Sequence, residues 1–226
     1  MKLFGAAVFA LALAALPVRS EAYAVCGGGV DVLTYNAQGG CTVDGLVFSD
    51  FSVTNALNDP NPLVAGVTAV VDGSTVNFTF NPTLVPTGSE QDIHFFFKVA
   101  TLNGSASIIG VDLTNAGVGD TSIGETVCAA AFVNNACNPG PPLATLIANS
   151  QQADQQFFAG VSSAYVFKDI FKGLGNGENI REGHLTSFTQ SFHTSTVPEP
   201  ASLLLLGTGL AGLARARRRK AQQSNA

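Results

Sequence analysis

The feature that most constrains the fold of this chain is an alternation of apolar and other residues with a period of two. Two such runs flank the sequence Asp72-Gly73-Ser74, and their alternating members are Val67, Ala69, Val71, Val76, Phe78 and Phe80. Successive side chains of a β-strand point to opposite faces of its sheet, so each run predicts a strand with one buried face. Because Asp-Gly is a frequent turn sequence, the two runs together predict a β-hairpin.

Similar runs recur along the middle of the chain, at Ile93 to Val99, Ile109 to Leu113, Val127 to Val133, Tyr165 to Ile170 and Leu185 to His193. Clusters of Asn, Asp, Gly, Pro and Ser separate them. This organisation predicts an all-β fold, an antiparallel β-sandwich with most Phe side chains in its core. The stretch Ala144 to Phe158 fits least well, and its segment Gln151 to Gln156 is interpreted as a short helix or a long loop.

The N-terminal segment has the three parts of a secretory signal peptide. Lys2 supplies a positive charge, Leu3 to Leu16 is apolar, and Ala22-Tyr23-Ala24 is a small-x-small cleavage site. We therefore expect residues 1–24 to be removed by cleavage between Ala24 and Val25 during export. An uncleaved membrane anchor is the alternative, which Pro17 and the short apolar run disfavour.

The four cysteines form two local groups, Cys26 with Cys41 and Cys128 with Cys137. Export places them in an oxidising compartment, where an even number of cysteines predicts disulfides. Four cysteines allow three connectivities, of which the two local pairs are favoured because each closes a Gly- or Asn-rich loop. A metal site is the alternative, but the spacings of 14 and 8 intervening residues match no zinc pattern.

The domain expected between the two ends, residues 25–196, is strongly acidic. It carries 4 basic and 14 acidic residues, a net charge of −10, whereas the whole chain has −5. Nucleic-acid binding depends on Lys and Arg neutralising phosphates, so this charge excludes a nucleic-acid partner. Weak calcium binding by Asp112, Asp120 and Glu125 with Asn115 stays open, although no compact calcium-loop pattern is present. We expect no metal site and no cofactor.

A short apolar segment near the C-terminus predicts a transmembrane helix. Ala201 to Ala214 contains 14 residues and no charge, somewhat fewer than the ~20 that usually span a bilayer. The basic residues that follow should remain on the cytoplasmic side, and they are Arg215, Arg217, Arg218, Arg219 and Lys220. Residues 221–226 then form a cytoplasmic tail. Pro198, Glu199 and Pro200 precede the segment, and the prolines favour an extended backbone outside the membrane.

Pro-Glu-Pro, a short apolar helix and an arginine cluster, in this order, resemble the PEP-CTERM sorting signal of Gram-negative bacteria. The resemblance covers residues 197–220. It implies an exosortase as partner, cleavage near the Pro-Glu-Pro sequence, an inner-membrane intermediate, and delivery to the cell surface or extracellular matrix. It implies nothing about the activity of residues 25–196. An uncleaved C-terminal anchor is the alternative.

The sequence contains no catalytic motif that we recognise. His94 is expected at a solvated strand position, and His184 and His193, nine residues apart, should face opposite sides of a regular strand. Neither a Gly-x-Ser-x-Gly nor a His-Glu-x-x-His sequence occurs. We therefore expect a non-catalytic structural or adhesive ectodomain. The alternative is a carbohydrate-binding or hydrolytic β-sandwich acting on exopolysaccharide, which the absence of Trp and the presence of only 3 Tyr disfavour.

Overall fold

The computed structural model describes residues 23–55, 65–82, 90–104, 106–150, 152–174 and 182–196. The sorting motif Pro198–Pro200, the basic cluster of residues 215–220, the expected membrane helix and most of the expected signal peptide lie outside the described residues. The described part is all-β, as the alternation predicts, and its one α-helix, α1 (Val32–Ala37), is a single short segment near the start.

Fifteen strands are present among the described residues. In chain order they are β1 (Ala24–Val25), β2 (Val30–Asp31), β3 (Cys41–Val43), β4 (Leu46–Asn55), β5 (Ala65–Asp72), β6 (Thr75–Pro82), β7 (Gln91–Thr101), β8 (Ala106–Asn115), β9 (Thr121–Cys128), β10 (Phe132–Val133), β11 (Ala136–Cys137), β12 (Ala144–Asn149), β13 (Asp154–Val161), β14 (Ser163–Lys172) and β15 (Phe188–Thr196).

Two large sheets pack face to face as a β-sandwich, which confirms the predicted fold class. The seven-stranded sheet has the order β1-β3-β4-β7-β14-β9-β12, and the six-stranded sheet has the order β13-β8-β15-β6-β5-β2. Strands β10 and β11 form a separate two-stranded hairpin. The pairs are antiparallel except β1 with β3, which is parallel.

The hairpin predicted around Asp72 is confirmed as β5 and β6. Asp72 pairs with Thr75, so the two central residues of the turn are Gly73 and Ser74 rather than Asp72 and Gly73. Gly73 has a φ of 59°, a conformation that costs glycine little and that tight hairpin turns need at this position.

The core between the two sheets is built mainly from phenylalanine, as predicted. Phe48 on the seven-stranded sheet stacks on Phe78 of the six-stranded sheet, with ring centroids 4.3 Å apart. Other rings continue this contact, and the buried Phe residues are Phe48, Phe51, Phe78, Phe80, Phe95, Phe97, Phe188 and Phe192. Each buried aromatic side chain contributes roughly 1.5–3 kcal/mol of transfer free energy, so these rings dominate the hydrophobic stabilisation.

The segment Gln151 to Gln156 was interpreted as a short helix or a long loop, and its described residues 152–156 are neither. Gln152 bridges to Asn149, and β13 begins at Asp154 and pairs with β8 at the edge of the six-stranded sheet. Side chains at its start bond to the free edge of β12: Asp154 Oδ2 accepts from the Ile147 amide at 3.0 Å and Gln156 Oε1 from the Thr145 amide at 3.0 Å. The polar residues therefore satisfy backbone donors that the edge of a sheet would otherwise leave unpaired.

Both predicted disulfides are present, Cys26–Cys41 and Cys128–Cys137, and all four cysteines are used. Cys26 and Cys41 are buried beside α1, where Tyr35 donates from its hydroxyl to the Gly27 carbonyl at 2.9 Å. The second disulfide joins the end of β9 to β11. The N-terminal edge and the small hairpin are thus each fixed covalently to a neighbouring strand.

Candidate functional site

The sequence-predicted site residues that the structure describes lie at the N-terminal edge and in the disulfides. Ala24 and Val25, the expected cleavage position, form β1 and pair with Cys41 and Thr42. That pairing applies to the folded chain, and cleavage between these residues stays a prediction. Among the described residues, no helix is both long enough and apolar enough to cross a membrane.

A surface site lies on the outer face of the seven-stranded sheet, under the hairpin of β10 and β11. The turn of this hairpin consists of Asn134 and Asn135, both with positive φ, at 52° and 60°. Two such residues form the tight turn that suits a right-handed strand twist, and Asn tolerates this conformation better than most residues. The disulfide Cys128–Cys137 then fixes the hairpin against the sheet.

Three Phe side chains that do not enter the core hold this hairpin in place. Phe96 of β7 stacks on Phe167 of β14, with ring centroids 4.6 Å apart. Phe132 of the hairpin packs edge-on against both, at 5.8 Å from Phe96 and 5.9 Å from Phe167. Edge-to-face ring pairs of this kind are favourable beyond the area they bury.

Beside these rings is an open pocket of about 400 Å³. Its lining combines ring surfaces with amide and carboxylate groups, and it includes Asp50, Phe96, Phe132, Asn134, Asn135 and Tyr165. Lys98 lies over the Tyr165 ring, with its Nζ 5.5 Å from the ring centroid. A pocket that combines apolar ring surface with a few polar side chains suits a small polar ligand or one unit of a larger chain.

A second polar group lies on the same outer face, further along β7 and β14. Asp92, His94 and Asp169 each offer one ligand atom, and these atoms lie within 4.8 Å of one another. Partial burial raises the pKa of Asp92, and the neighbouring Asp169 raises it further through a hydrogen bond and its negative charge. One imidazole nitrogen and two carboxylate oxygens are ligand types that divalent metals use, so these residues could hold such an ion.

His193 shows a contact pattern that sequence analysis missed. Its Nδ1 is 3.1 Å from Thr75 Oγ1 and its Nε2 is 2.8 Å from Asp112 Oδ1. A hydroxyl, an imidazole and a carboxylate in line are also the parts of a catalytic triad. Here Gln155 Nε2 lies 3.3 Å from His193 Nε2 and the Phe157 ring packs on the imidazole, so neighbouring strands occupy both ring nitrogens and one face.

The other candidates do not form a shared site. His184 lies before β15 and bridges to Val118, so it does not share a strand with His193, and the prediction from odd spacing along one strand does not apply. Of the four oxygen ligands considered for calcium, Asp112 bonds His193 outside the six-stranded sheet and Glu125 is buried between the sheets. Asp112 belongs to β8 of the six-stranded sheet and Glu125 to β9 of the seven-stranded sheet, so these two carboxylates do not share a cation position.

The buried polar groups between the sheets were also missed. Lys168, Glu125 and Gln190 contact one another in the core, where the Lys168 and Glu125 side chains have 0% exposure. A pattern in the sequence indicates them. Each is flanked two residues away on both sides by apolar residues, in the sequences 123–127, 166–170 and 188–192. A polar residue at the core position of three strands predicts polar partners inside the sandwich.

Comparison with known proteins identifies the C-terminal segment. Residues 196–220 match the family model described as "PEP-CTERM protein-sorting motif". No curated protein matches the sequence of the chain. A solved structure described as "CBM4 structure and function" aligns with 66% of this chain and 95% of its own at 11% sequence identity and a TM-score of 0.25, and a likeness this low indicates nothing about ligand or activity.

The matched segment begins at Thr196, the last residue of β15, and includes the Pro-Glu-Pro sequence and the basic cluster on which the resemblance rests. The motif implies an exosortase as the processing partner and export through the membrane to the cell surface. The chain therefore carries a PEP-CTERM sorting motif, which supports a surface protein sorted by an exosortase.

Proposed function

We propose that the sandwich is a non-catalytic adhesive module, carried to the cell surface or extracellular matrix by the sorting segment. The observation that carries this proposal is the pocket of about 400 Å³ under the disulfide-fixed hairpin on the outer face of the seven-stranded sheet. A pocket on a rigid sheet, held by ring packing and a covalent bond, is organised before a ligand arrives. Such preorganisation lowers the entropic cost of binding.

The arrangement of the imidazoles supports a role without catalysis. His193 connects β15 to Thr75 of β6 and to Asp112 of β8 through side-chain contacts. Its ring is covered by Phe157, with centroids 5.0 Å apart. Histidine in this position holds three strands of the six-stranded sheet together, and Gln155 and Phe157 of β13 also contact its ring.

Processing by the exosortase is tested on the full chain in a host that carries the enzyme. Glu199→Gln, or deletion of residues 215–220, should leave unprocessed protein in the inner membrane. Glu182→Gln, which lies in the described domain, is the matched control and should be processed normally. Mass spectrometry of surface-extracted protein gives the answer, and a mature protein that still contains residues 201–226 would contradict the proposal.

The second candidate is carbohydrate binding, favoured by the chemistry of the pocket lining. Sugars present hydroxyl groups to amide and carboxylate side chains and C–H faces to aromatic rings. Asn134, Asn135 and Asp50 supply the amide and carboxylate groups, and Phe132 and Tyr165 supply the aromatic rings. The surface-extracted mature protein would then bind exopolysaccharide fragments on a glycan array.

Two variants separate these candidates. Asn135→Gly removes a polar side chain from the pocket lining and suits the positive φ of the turn, whereas Val133→Ala changes an exposed residue of the same hairpin that is absent from the lining. Sugar binding that falls at least tenfold in Asn135→Gly and is unchanged in Val133→Ala supports the carbohydrate hypothesis. Adhesion to cells or matrix with no glycan bound supports a protein or surface ligand instead. Hydrolysis of the glycan by the wild-type protein, abolished in His193→Gln, would overturn the non-catalytic proposal.

A further inference from the structure

Three chemically complementary side chains meet in the buried interior of the sandwich. Lys168 of β14 and Glu125 of β9 come from the seven-stranded sheet, and Gln190 of β15 comes from the six-stranded sheet. Lys168 Nζ contacts both Glu125 Oε2 and Gln190 Oε1, and Gln190 Nε2 donates to the Ser191 carbonyl. All three residues are buried. The group thus spans the space between the sheets.

The environment of these groups favours the reactive form of the amine. Burial lowers the pKa of Lys168, although the neighbouring Glu125 opposes the shift. Burial likewise raises the pKa of Glu125 against the opposing effect of Lys168. Transfer of the shared proton from Lys168 to Glu125 leaves a neutral amine, which is a nucleophile, beside a neutral carboxylic acid.

We propose that Lys168 and Gln190 form an intramolecular isopeptide bond that joins the two sheets covalently. The Nζ lone pair attacks Cδ of Gln190, and a C–N bond forms. Glu125, in its neutral acid form, donates its proton to Nε2 as the Cδ–Nε2 bond breaks, and then accepts the proton that the attacking amine loses. One ammonia molecule leaves, and the new amide retains the oxygen of Gln190. The reaction needs no oxidant and no second substrate, and Glu125 ends in the form in which it began.

The fold holds the two reacting side chains close together, whereas in solution they would have to meet by diffusion. Lys168 is fixed by pairing with Phe95 on one side and with Glu125 on the other. Gln190 is fixed by pairing with Phe78 and Leu113. Holding two reactants in contact replaces a bimolecular encounter and can contribute about 7–11 kcal/mol to lowering a barrier. Proton transfer by a positioned carboxyl adds roughly 10²–10⁴-fold.

The bond would connect parts of the molecule that the disulfides do not. Cys26–Cys41 and Cys128–Cys137 join residues separated by 15 and 9 positions. Lys168 and Gln190, by contrast, lie on central strands of the two opposing sheets. An amide between them is insensitive to reductants, so it would hold the sandwich together where thiols are reduced.

The test is peptide mapping of the full-length, folded chain after reduction of the disulfides. Trypsin cleaves after Lys98, Lys168, Lys172, Arg181 and Arg215. We expect no cleavage after Lys168, and a peptide of residues 99–172 joined to the peptide that starts at residue 182. Its mass should be lower than the sum of the two peptides by one ammonia molecule. The intact protein should show the same loss.

Variants assign the roles. Lys168→Met should abolish the mass loss, Glu125→Gln should slow or abolish it, and Lys172→Met, which removes a lysine on the same face of β14, should leave it unchanged. If the core variants fail to fold, the wild-type digest alone decides. Free peptides 99–168 and 169–172 from the wild-type protein would overturn the proposal. So would the loss of one water molecule, which indicates an amide between Lys168 and Glu125.

Discussion

The ionisable side chains on the two faces of the seven-stranded sheet differ in their exposure to solvent. On the inner face Lys168 and Glu125 have 0% side-chain exposure and contact each other directly. On the outer face Asp92 and His94 keep 30% and 26% exposure, and Asp169 adds a second carboxylate beside them. Solvent stabilises the two carboxylates beside one histidine on the outer face. In the interior, an ionisable group must be paired with an opposite charge or neutralised by proton transfer.

Strand β14 shows that this difference is local. Lys168 points into the core, while its neighbours Phe167 and Asp169 lie on the outer face. The usual rule, which places Phe inside and Lys outside, is reversed over three residues. Alternation along a strand fixes which residues share a face, and the identity of the partners then decides which face is the core.

The largest expected effect in this comparison comes from Lys168→Met. The change leaves the buried Glu125 carboxyl without its Lys168 partner and should reduce the free energy of unfolding by about 3–5 kcal/mol. Denaturant unfolding of the variant and the wild type measures the difference. Lys98→Met, at a partly exposed cation–π contact with Tyr165 on the outer face, is the control and should cost about 1 kcal/mol. A similar small loss for both variants would show that the two faces do not differ as described.

Removal of the disulfide that fixes the hairpin should have the next largest effect. The double change Cys128→Ser and Cys137→Ser opens a short loop, and we expect a loss of about 2 kcal/mol in the free energy of unfolding. Hydrogen exchange should accelerate at residues 132–137, because the hairpin loses its covalent attachment to β9. Cys26→Ser with Cys41→Ser should destabilise the chain while leaving exchange in the hairpin unchanged. Equal exchange rates in both double variants would argue against local fixation of the pocket.

Phe132→Ala tests the outer ring cluster alone. The variant loses ring contacts with Phe96 and Phe167, and the expected cost is about 1 kcal/mol. Thermal unfolding of Phe132→Ala against Val133→Ala, an exposed neighbour in the same hairpin, isolates the ring contribution. A cost of several kcal/mol would mean that the outer cluster is a second core rather than a surface feature.

The smallest expected effect is a gain in stability from Asp92→Asn. Because the folded-state pKa of Asp92 is raised, the folded chain binds this proton more tightly than the unfolded chain. The ionised carboxyl therefore destabilises the fold above that pKa, and the penalty disappears as the pH falls below the unfolded value. We expect Asp92→Asn to add less than about 1 kcal/mol at neutral pH and nothing in acid.

Melting temperatures measured as a function of pH check this expectation, with Asp72→Asn at an exposed position as the control. A gain for Asp92→Asn that persists at low pH would not come from titration. A loss at neutral pH that appears only when a divalent cation is present would show that the outer carboxylates hold a metal.

Sequence reasoning predicted the features that depend on neighbours along the chain. Alternation around Gly73 predicted the hairpin of β5 and β6, and the short spacings favoured Cys26–Cys41 and Cys128–Cys137. It did not predict β13, because the role of Asp154 and Gln156 is to bond the edge of another strand. The buried contact between Lys168 and Gln190 was not predicted for a related reason. These two residues meet only when the two sheets pack together.

The outer pocket was not predicted either, because it depends on how the hairpin of β10 and β11 lies on the sheet. Most Phe residues were predicted to lie in the core, and no cluster of Phe96, Phe132 and Phe167 was predicted outside it. Their contacts are instead with one another outside the seven-stranded sheet. Composition alone cannot separate these two locations, because both bury ring surface.

The place of β15 in the fold has a mechanical consequence for a protein at the cell surface. This strand is hydrogen-bonded to β8 and β6 on its two sides and ends at Thr196, where the sorting motif begins. Hydrogen bonds in antiparallel pairs run perpendicular to the strands. A pull transmitted along the chain from that end would therefore strain both rows of bonds together in shear, whereas an edge strand would peel away one bond at a time.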